Sequence, residues 1–281
     1  MVKVGVHVSI ADSIERAVDR AVERGCDTFQ IFSSNPRSWK TKELIPSDVD
    51  RFKEKLEDSG IYPPVDHMPY LPNLATPKDD VYKRSKEALT AELKRCEVLK
   101  IPYLVTHLGS HLGEGMDNGL QRILKSINEA FSSTDTSVML LLENTAGTKN
   151  SMGSSFEHIQ NIIEGVEEED RIGICFDTCH AFAAGYELRT DEGLRETLKA
   201  LDDAVGIGRI KLIHLNDSKG DLNSHLDRHE HIGLGYIGEA GFKNILGHSL
   251  FRKLPLVLET PVDERRDDVE NLKKVREISA K

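Results

Sequence analysis

Hydrophobic positions fall into two kinds of block along this chain. Short, nearly unbroken apolar runs occupy residues 2–8, 28–32, 63–67, 103–107, 138–143, 172–177, 210–215 and 256–259. Runs of this length without alternation suit parallel strands covered on both faces. Between them the spacing changes to that of amphipathic helices. Ile14, Ala17, Val18, Ala21 and Val22 recur at three- and four-residue steps, with Asp12 as a predicted N-cap, Glu15 three residues on and Gly25 as a stop. The plan repeats over 46–59 with Val49, Phe52 and Leu56 before Gly60. It repeats again over 155–166 with Phe156, Ile159, Ile163 and Val166. Strict alternation of strand and helix predicts a parallel α/β architecture, and eight strands predict an eightfold (β/α)8 TIM barrel.

Six of the runs carry a side chain that binds metals at or next to their last residue: His67, His107, Glu143, Asp177, His214 and Glu259. The first five are 40, 36, 34 and 37 positions apart, and the last gap is 45. A barrel of this length repeats about every 35 residues, because such folds run to roughly 250 residues. The ligand spacing is therefore the strand spacing. Strand C-termini of this fold open on one face, where catalytic groups gather. Three His, two Glu and one Asp would meet at one mouth, which predicts a polynuclear metal site there.

The 281 residues are long enough for a large core, and the regular repeat favours one domain over 1–281. No apolar stretch reaches the ~20 residues needed to span a bilayer. The N-terminal Met-Val-Lys-Val-Gly-Val-His leads straight into a strand without signal-peptide architecture. Four cysteines, at 26, 96, 175 and 179, make no disulfide-rich pattern, so the expected home is the cytoplasm. The net charge of −10 would ordinarily argue against nucleic acid. Carboxylates committed to cations leave that repelling surface, so an acidic chain can still carry a cationic pocket suited to phosphate.

Other clusters add to the strand ends. In Cys175-Phe-Asp-Thr-Cys-His180 an imidazole follows the Asp177 carboxylate by three residues, a pair that suits zinc. Cys175 and Cys179 are not read as a thiolate pair, since one lies inside an apolar run and no second pair exists. Asp227-Arg-His229-Glu-His231 sets three ligand types at alternate positions; if extended, all three face one way, and spacing cannot choose among them. His7 ends the first strand and is read as a substrate contact or a satisfied core histidine. His111, His158, His225 and His248 have no partner pattern. Two connections are long, 33–45 and 216–238, and long loops on a catalytic face usually bind something. Tyr70 and Leu71 follow a strand-end ligand, and Arg37 with Trp39 lies on the first long loop. They are either wedges for a base stack or packing of the barrel lip.

The segments Gly5-Val-His-Val-Ser, Asn35-Pro-Arg-Ser-Trp, His67-Met-Pro-Tyr-Leu-Pro-Asn-Leu, Thr106-His-Leu-Gly, Leu142-Glu-Asn-Thr-Ala-Gly, Cys175-Phe-Asp-Thr-Cys-His, His214-Leu-Asn-Asp-Ser-Lys, Asp227-Arg-His-Glu-His-Ile-Gly and Leu258-Glu-Thr-Pro run in order along nearly the whole chain. Together they resemble the endonuclease IV family of zinc-dependent apurinic/apyrimidinic endonucleases. The resemblance implies hydrolysis of the phosphodiester 5′ to an abasic site in duplex DNA, leaving a 3′-hydroxyl and a 5′-deoxyribose phosphate. It implies three zinc ions, with Glu143 at the reaction centre; the chain is expected to act as a monomer. His67, His107 and Glu143 would hold the first ion. Glu143, shared, with Asp177, His214 and Glu259 would hold the second, and His180, Asp227 and His229 the third. It also implies that Arg37, Tyr70 and Leu71 enter the DNA at the lesion. Asp12-Ser13 stands where the family often has glycines, and Met68-Pro69 is an unusual pair before Tyr70. A sugar isomerase or epimerase on a similar barrel, with one or two ions, is the rival reading; a non-catalytic binder of damaged DNA is another.

Overall fold

In the computed structural model, which describes residues 2–280, eight parallel strands form a barrel. They are β1 (Lys3–Val6), β2 (Phe29–Ile31), β3 (Pro64–His67), β4 (Tyr103–Thr106), β5 (Met139–Glu143), β6 (Ile172–Asp177), β7 (Ile210–His214) and β10 (Pro255–Leu258), with hydrogen-bonded order β1-β10-β7-β6-β5-β4-β3-β2. Between the last two, β8 (Asp217–Ser218) and β9 (His229–Glu230) pair as a separate antiparallel ribbon. The seam between β1 and β2 closes through a parallel bridge from His7 to Gln30, with the Val8 amide donating to the Gln30 carbonyl at 2.8 Å. Gly5 permits this closure. A Cβ there would lie 1.6 Å from the Thr28 carbonyl oxygen, so no larger residue fits.

Each predicted strand is present, most trimmed by a residue or two at the ends. Helices α1 (Arg16–Glu23), α2 (Pro46–Ser59), α3 (Asp79–Leu99), α4 (Met116–Ser132), α5 (Phe156–Gly165), α6 (Thr178–Ala183), α7 (Asp191–Val205), α8 (Gly238–Gly247), α9 (Ser249–Lys253) and α10 (Asp268–Ser279) connect the strands. The 46–59 helix matches its expected bounds and stops at Gly60, which adopts φ 67°. The first helix differs from expectation. Asp12 does not cap it: Asp12 turns the chain at φ 76°, and its carboxylate pairs with Arg20 at 2.9 Å. That is the left-handed region, which aspartate tolerates better than most side chains.

Side-chain alternation sorts the strands into two apolar layers. Val65, Val105, Leu141, Cys175, Leu212 and Val257 point inward and form the barrel's own core. Val4, Phe29, Leu104, Leu140, Leu142, Ile174, Phe176, Ile213 and Leu258 point outward into the layer shared with the helices. Among the described residues no helix is long and apolar enough to cross a membrane.

Candidate metal centre

The inner core also builds the floor of the site. On β3, β4, β5, β6, β7 and β10 the residue two positions beyond each inward core residue is His67, His107, Glu143, Asp177, His214 or Glu259. A period of two returns each to the inward face, one layer nearer the mouth. Strand register sets them side by side: Asp177 pairs with His214 and Val257 with His214, while Glu143 pairs with Cys175. Cys175 is thus floor packing, as its apolar setting predicts, and burial pushes its thiol up to about 12. Cys179, buried on α6, is also pushed up to about 12 by burial, so the two thiols form no thiolate pair.

Three groups of N and O donors converge here. His67, His107 and Glu143 form one. Glu143, Asp177, His214 and Glu259 form the second. His180, Asp227 and His229 form the third, and within each group the donor atoms lie inside 4.8 Å of one another. Glu143 belongs to two groups and is fully buried. Its oxygens lie 2.9 Å from His107 Nε2 and 3.0 Å from His214 Nδ1.

Four of the five imidazoles in these groups, all but His107, are oriented by a bond on the far side. The Nδ1–H of His67 donates to the Met68 carbonyl at 2.7 Å, that of His180 to the Asn144 carbonyl at 2.9 Å, and that of His229 to the Glu259 carbonyl at 3.1 Å. A carbonyl only accepts, so Nδ1 carries a proton and Nε2 faces the cluster. His214 is reversed: Nε2–H donates to Gln30 Oε1 at 2.8 Å, leaving Nδ1 toward Glu143. His229 Nε2 is buried without a hydrogen-bond partner.

The electrostatics call for cations. Burial by itself would raise the Glu143 carboxyl, but His107 and His214 hold it well below the usual range. Burial likewise opposes ionisation at Glu259, yet His214, His229 and His67 hold it at about 2. The hydrogen bond from His180 lowers Asp227 to about 2. Burial disfavours charge on His180, and Asp177, Asp227 and Glu143 override it, raising the imidazole well above its ordinary value. Ionised carboxylates thus face the imidazoles of His107, His180 and His214, all raised above their ordinary values despite burial. Such oxygen and nitrogen donors, with an unpartnered Nε2 among them, fit divalent metal ions of the zinc type.

Asp227 and His229 reach the cluster on the 216–238 loop, whose β8–β9 ribbon the apolar pattern of the sequence does not predict. The expectation that Asp227, His229 and His231 face one way holds only for the first two. Extended structure ends at Glu230, and fully buried His231 turns away. Its Nε2–H donates to Asp263 at 2.9 Å, while Nδ1 accepts from Asn271 at 2.9 Å.

His7 packs on Phe32, 4.3 Å between ring centroids, and accepts from Gln30 Nε2 at 3.1 Å. Burial lowers it to about 4, so it is neutral. Tyr70 is 61% and Leu71 38% exposed beyond β3, beside exposed Arg37. The Tyr70 ring meets Phe32 edge-on at 5.0 Å, and its backbone N–H donates to the Pro36 carbonyl at 3.2 Å. Tyr70 and Leu71 line a cleft of about 350 Å³ together with His107, His180 and Asp227.

Sequence reasoning missed Gln30, Asn144 and Asn216. Gln30 donates to Glu259 at 2.8 Å besides holding His214. Asn216 donates to Asp177 Oδ2 at 2.8 Å and accepts from the Glu259 backbone N–H at 2.8 Å. The available signals were a lone amide within the apolar run 28–32 and asparagines one position after Glu143 and two after His214.

A family model described as a xylose isomerase-like TIM barrel matches residues 18–279. A curated relative from Methanoculleus marisnigri, "Probable endonuclease 4", is 58% identical over 280 residues, covering 99% of each chain. The crystal structure of endonuclease IV from Thermus thermophilus is 35% identical, superposes with a TM-score of 0.87 and covers 98% of each chain. A D-tagatose 3-epimerase-like structure, 20% identical at a TM-score of 0.72 with 98% of each chain covered, shares the barrel alone. The chain belongs to the endonuclease IV family, DNA-repair endonucleases of the hydrolase class.

Proposed function

We propose that this protein, acting as a single-domain monomer, hydrolyses the phosphodiester 5′ to an abasic site in duplex DNA. The products are a 3′-hydroxyl and a 5′-deoxyribose phosphate. Three zinc ions serve the reaction: one on His67, His107 and Glu143, one on Glu143, Asp177, His214 and Glu259, and one on His180, Asp227 and His229. The observation that carries this reading is the convergence of nine N and O donors in three groups beside exposed Arg37, Tyr70 and Leu71.

Zinc held there would lower the pKa of water toward neutrality and offset phosphate charge. The chain's own groups do the rest. Glu143 stays ionised between two donor groups and ties their positions together. Gln30 and Asn216 orient Glu259 and His214 from outside the cluster. Tyr70 and Leu71 project where a base stack would lie, and Arg37 beside them completes the wedge. Kinking and flipping cost least where a base is already missing, so the wedge selects abasic sites by deformability. A sugar epimerase needs neither the His180–Asp227–His229 group nor exposed wedges.

Zinc-loaded protein incubated with a duplex carrying one abasic site is the test. A single nick on the 5′ side, with a 3′ end that a polymerase extends, is the expected product. A cut on the 3′ side, or an intact duplex, overturns the proposal.

A further inference from the structure

The loop between β2 and α2, which carries Arg37, is closed end to end by one buried guanidinium from α3. Arg95 is 9% exposed. Its Nε–H donates to Ser33 Oγ at 3.0 Å and Nη2 donates to the Ser33 carbonyl, at the loop's start. Nη1 donates to the Lys42 carbonyl at 2.9 Å, at the loop's end. Glu92, one helical turn earlier and 1% exposed, accepts from the hydroxyls of Ser33 at 2.6 Å and Ser34 at 2.5 Å. It also lies 3.7 Å from Arg95 Nε, so the charge is partnered. On the outer side of β3, Asp66 accepts the Ser33 backbone N–H at 2.8 Å. Trp39, midway along the loop, lies under Arg84 of the same helix, 5.9 Å from guanidinium carbon to ring centroid.

Besides these and the Tyr70 N–H bond to the Pro36 carbonyl at 3.2 Å, the bonds of the loop among the described residues are short-range. Arg37 N–H reaches Asn35, Ser38 N–H reaches Asn35, and Lys40 N–H reaches Ser38. They shape the turn without saying where it stands. Three directional bonds from one planar fork, split between the two ends of a loop, do say where. A lysine there keeps the charge but loses the fork.

We propose that Arg95 is a positioning residue for damage recognition: its guanidinium clasps residues 33 and 42 and thereby presents Arg37, and the neighbouring Tyr70 through Pro36, at the barrel mouth. This rests on Arg37 contacting DNA, as proposed above. Arg95 touches neither the donor groups nor the substrate. Its loss is therefore expected in KM and not in kcat or metal content.

The test is a double-mutant cycle of Arg95→Lys and Arg37→Ala in the zinc-loaded enzyme on an abasic duplex. Arg95→Lys should raise KM on the order of tenfold, as losing a DNA-contacting arginine does. Its kcat should stay within about twofold, because the variant leaves the donor groups alone. Added to Arg37→Ala, it should change KM little further, since both act through one contact. Trypsin should cut Arg95→Lys faster at Arg37, Lys40 or Lys42 than the parent. A parental KM in Arg95→Lys alongside a raised KM in Arg37→Ala overturns the proposal and leaves the DNA reading intact. So do KM effects that multiply in the double variant. A parental KM in Arg37→Ala overturns both. If Arg95→Lys does not fold, Ser33→Ala, which removes one acceptor of the clasp, must raise KM without lowering kcat, and a parental KM there is equally fatal.

Discussion

The side chain of Asn144 brackets Asp177 with two hydrogen bonds: Oδ1 accepts the Asp177 backbone N–H at 2.8 Å, and Nδ2 donates to the Asp177 carbonyl at 3.0 Å. The main-chain carbonyl of the same asparagine holds His180. One residue thus fixes the backbone of Asp177, in the second donor group, and the ring of His180, in the third. Asn144→Ala should lower zinc affinity roughly 10- to 100-fold, the usual consequence of losing a group that orients ligands. Competition with a chromogenic chelator measures it. Parental retention of all ions would show that strand register alone places Asp177.

Glu143→Gln keeps the size of the side chain but removes the charge shared by two donor groups. Nicking of an abasic duplex should fall by at least about a thousandfold, on the scale seen when a central catalytic group is lost. The far-ultraviolet circular dichroism should be unchanged. Near-parental turnover would place the reaction centre elsewhere.

Metal content supplies a separate check. Protein purified without chelator should carry about three transition-metal ions per chain, mainly zinc, given nine N and O donors. Extended chelation should abolish nicking and lower the melting temperature, because carboxylates gathered at the barrel mouth lose their counter-charge. Added zinc should restore both. One ion or fewer per chain is incompatible with the trinuclear reading.

Much of this centre was legible in the sequence because barrel strands have a fixed period. An inward core residue at Val65, Val105, Leu141, Cys175, Leu212 or Val257 guarantees that the side chain two positions on also points inward. The strand-end donor side chains could therefore be placed at the mouth without knowing any loop. The loops obey no such period. His231 looks equivalent to His229 by spacing, yet extended structure ends between them and His231 turns to Asp263 and Asn271. Asp12 resembles a helix cap but makes a left-handed turn. The amides of Gln30, Asn144 and Asn216 act through partners 33 to 229 residues away in sequence, separations that local pattern does not reveal. The resemblance to a family, carried by motifs in order, supplied what periodicity lacked.

The proposed wedge should separate recognition from metal binding. Tyr70 and Leu71 are the exposed apolar side chains on the rim of the cleft, while His67 just before them is buried. A Tyr70→Ala, Leu71→Ala double variant should keep full zinc content. Its preference for abasic over intact duplex should shrink by roughly tenfold or more, since inserted side chains repay a few kcal/mol of unstacking. Electrophoretic shift with both duplexes measures the ratio. If the parental ratio persists, the two side chains only pack the barrel lip.

Asp217 is the anchor of the loop that delivers Asp227 and His229. Its buried carboxylate accepts backbone N–H bonds from Ser218 at 2.8 Å, Gly233 at 2.9 Å, Gly235 at 2.9 Å and Ile237 at 3.0 Å. A Cβ on Gly235 would lie 2.5 Å from Asp217 Oδ1, so the loop wraps the carboxylate as closely as backbone can. Asp217→Ala leaves several buried donors unpaired, each costing about 1–3 kcal/mol where the chain cannot relax toward water. The loop sits at the surface end of the barrel and will partly open, so the net loss of folding stability should be nearer ~3 kcal/mol than the full sum. Urea denaturation measures that loss. Opening also withdraws two of the three side chains of the His180 group, while both Glu143 groups stay on their strands. The variant should accordingly bind one fewer zinc ion per chain than the parent. Unchanged stability would show that the glycine-rich turn holds itself, and unchanged zinc content would show that Asp227 and His229 are placed by β9 without Asp217.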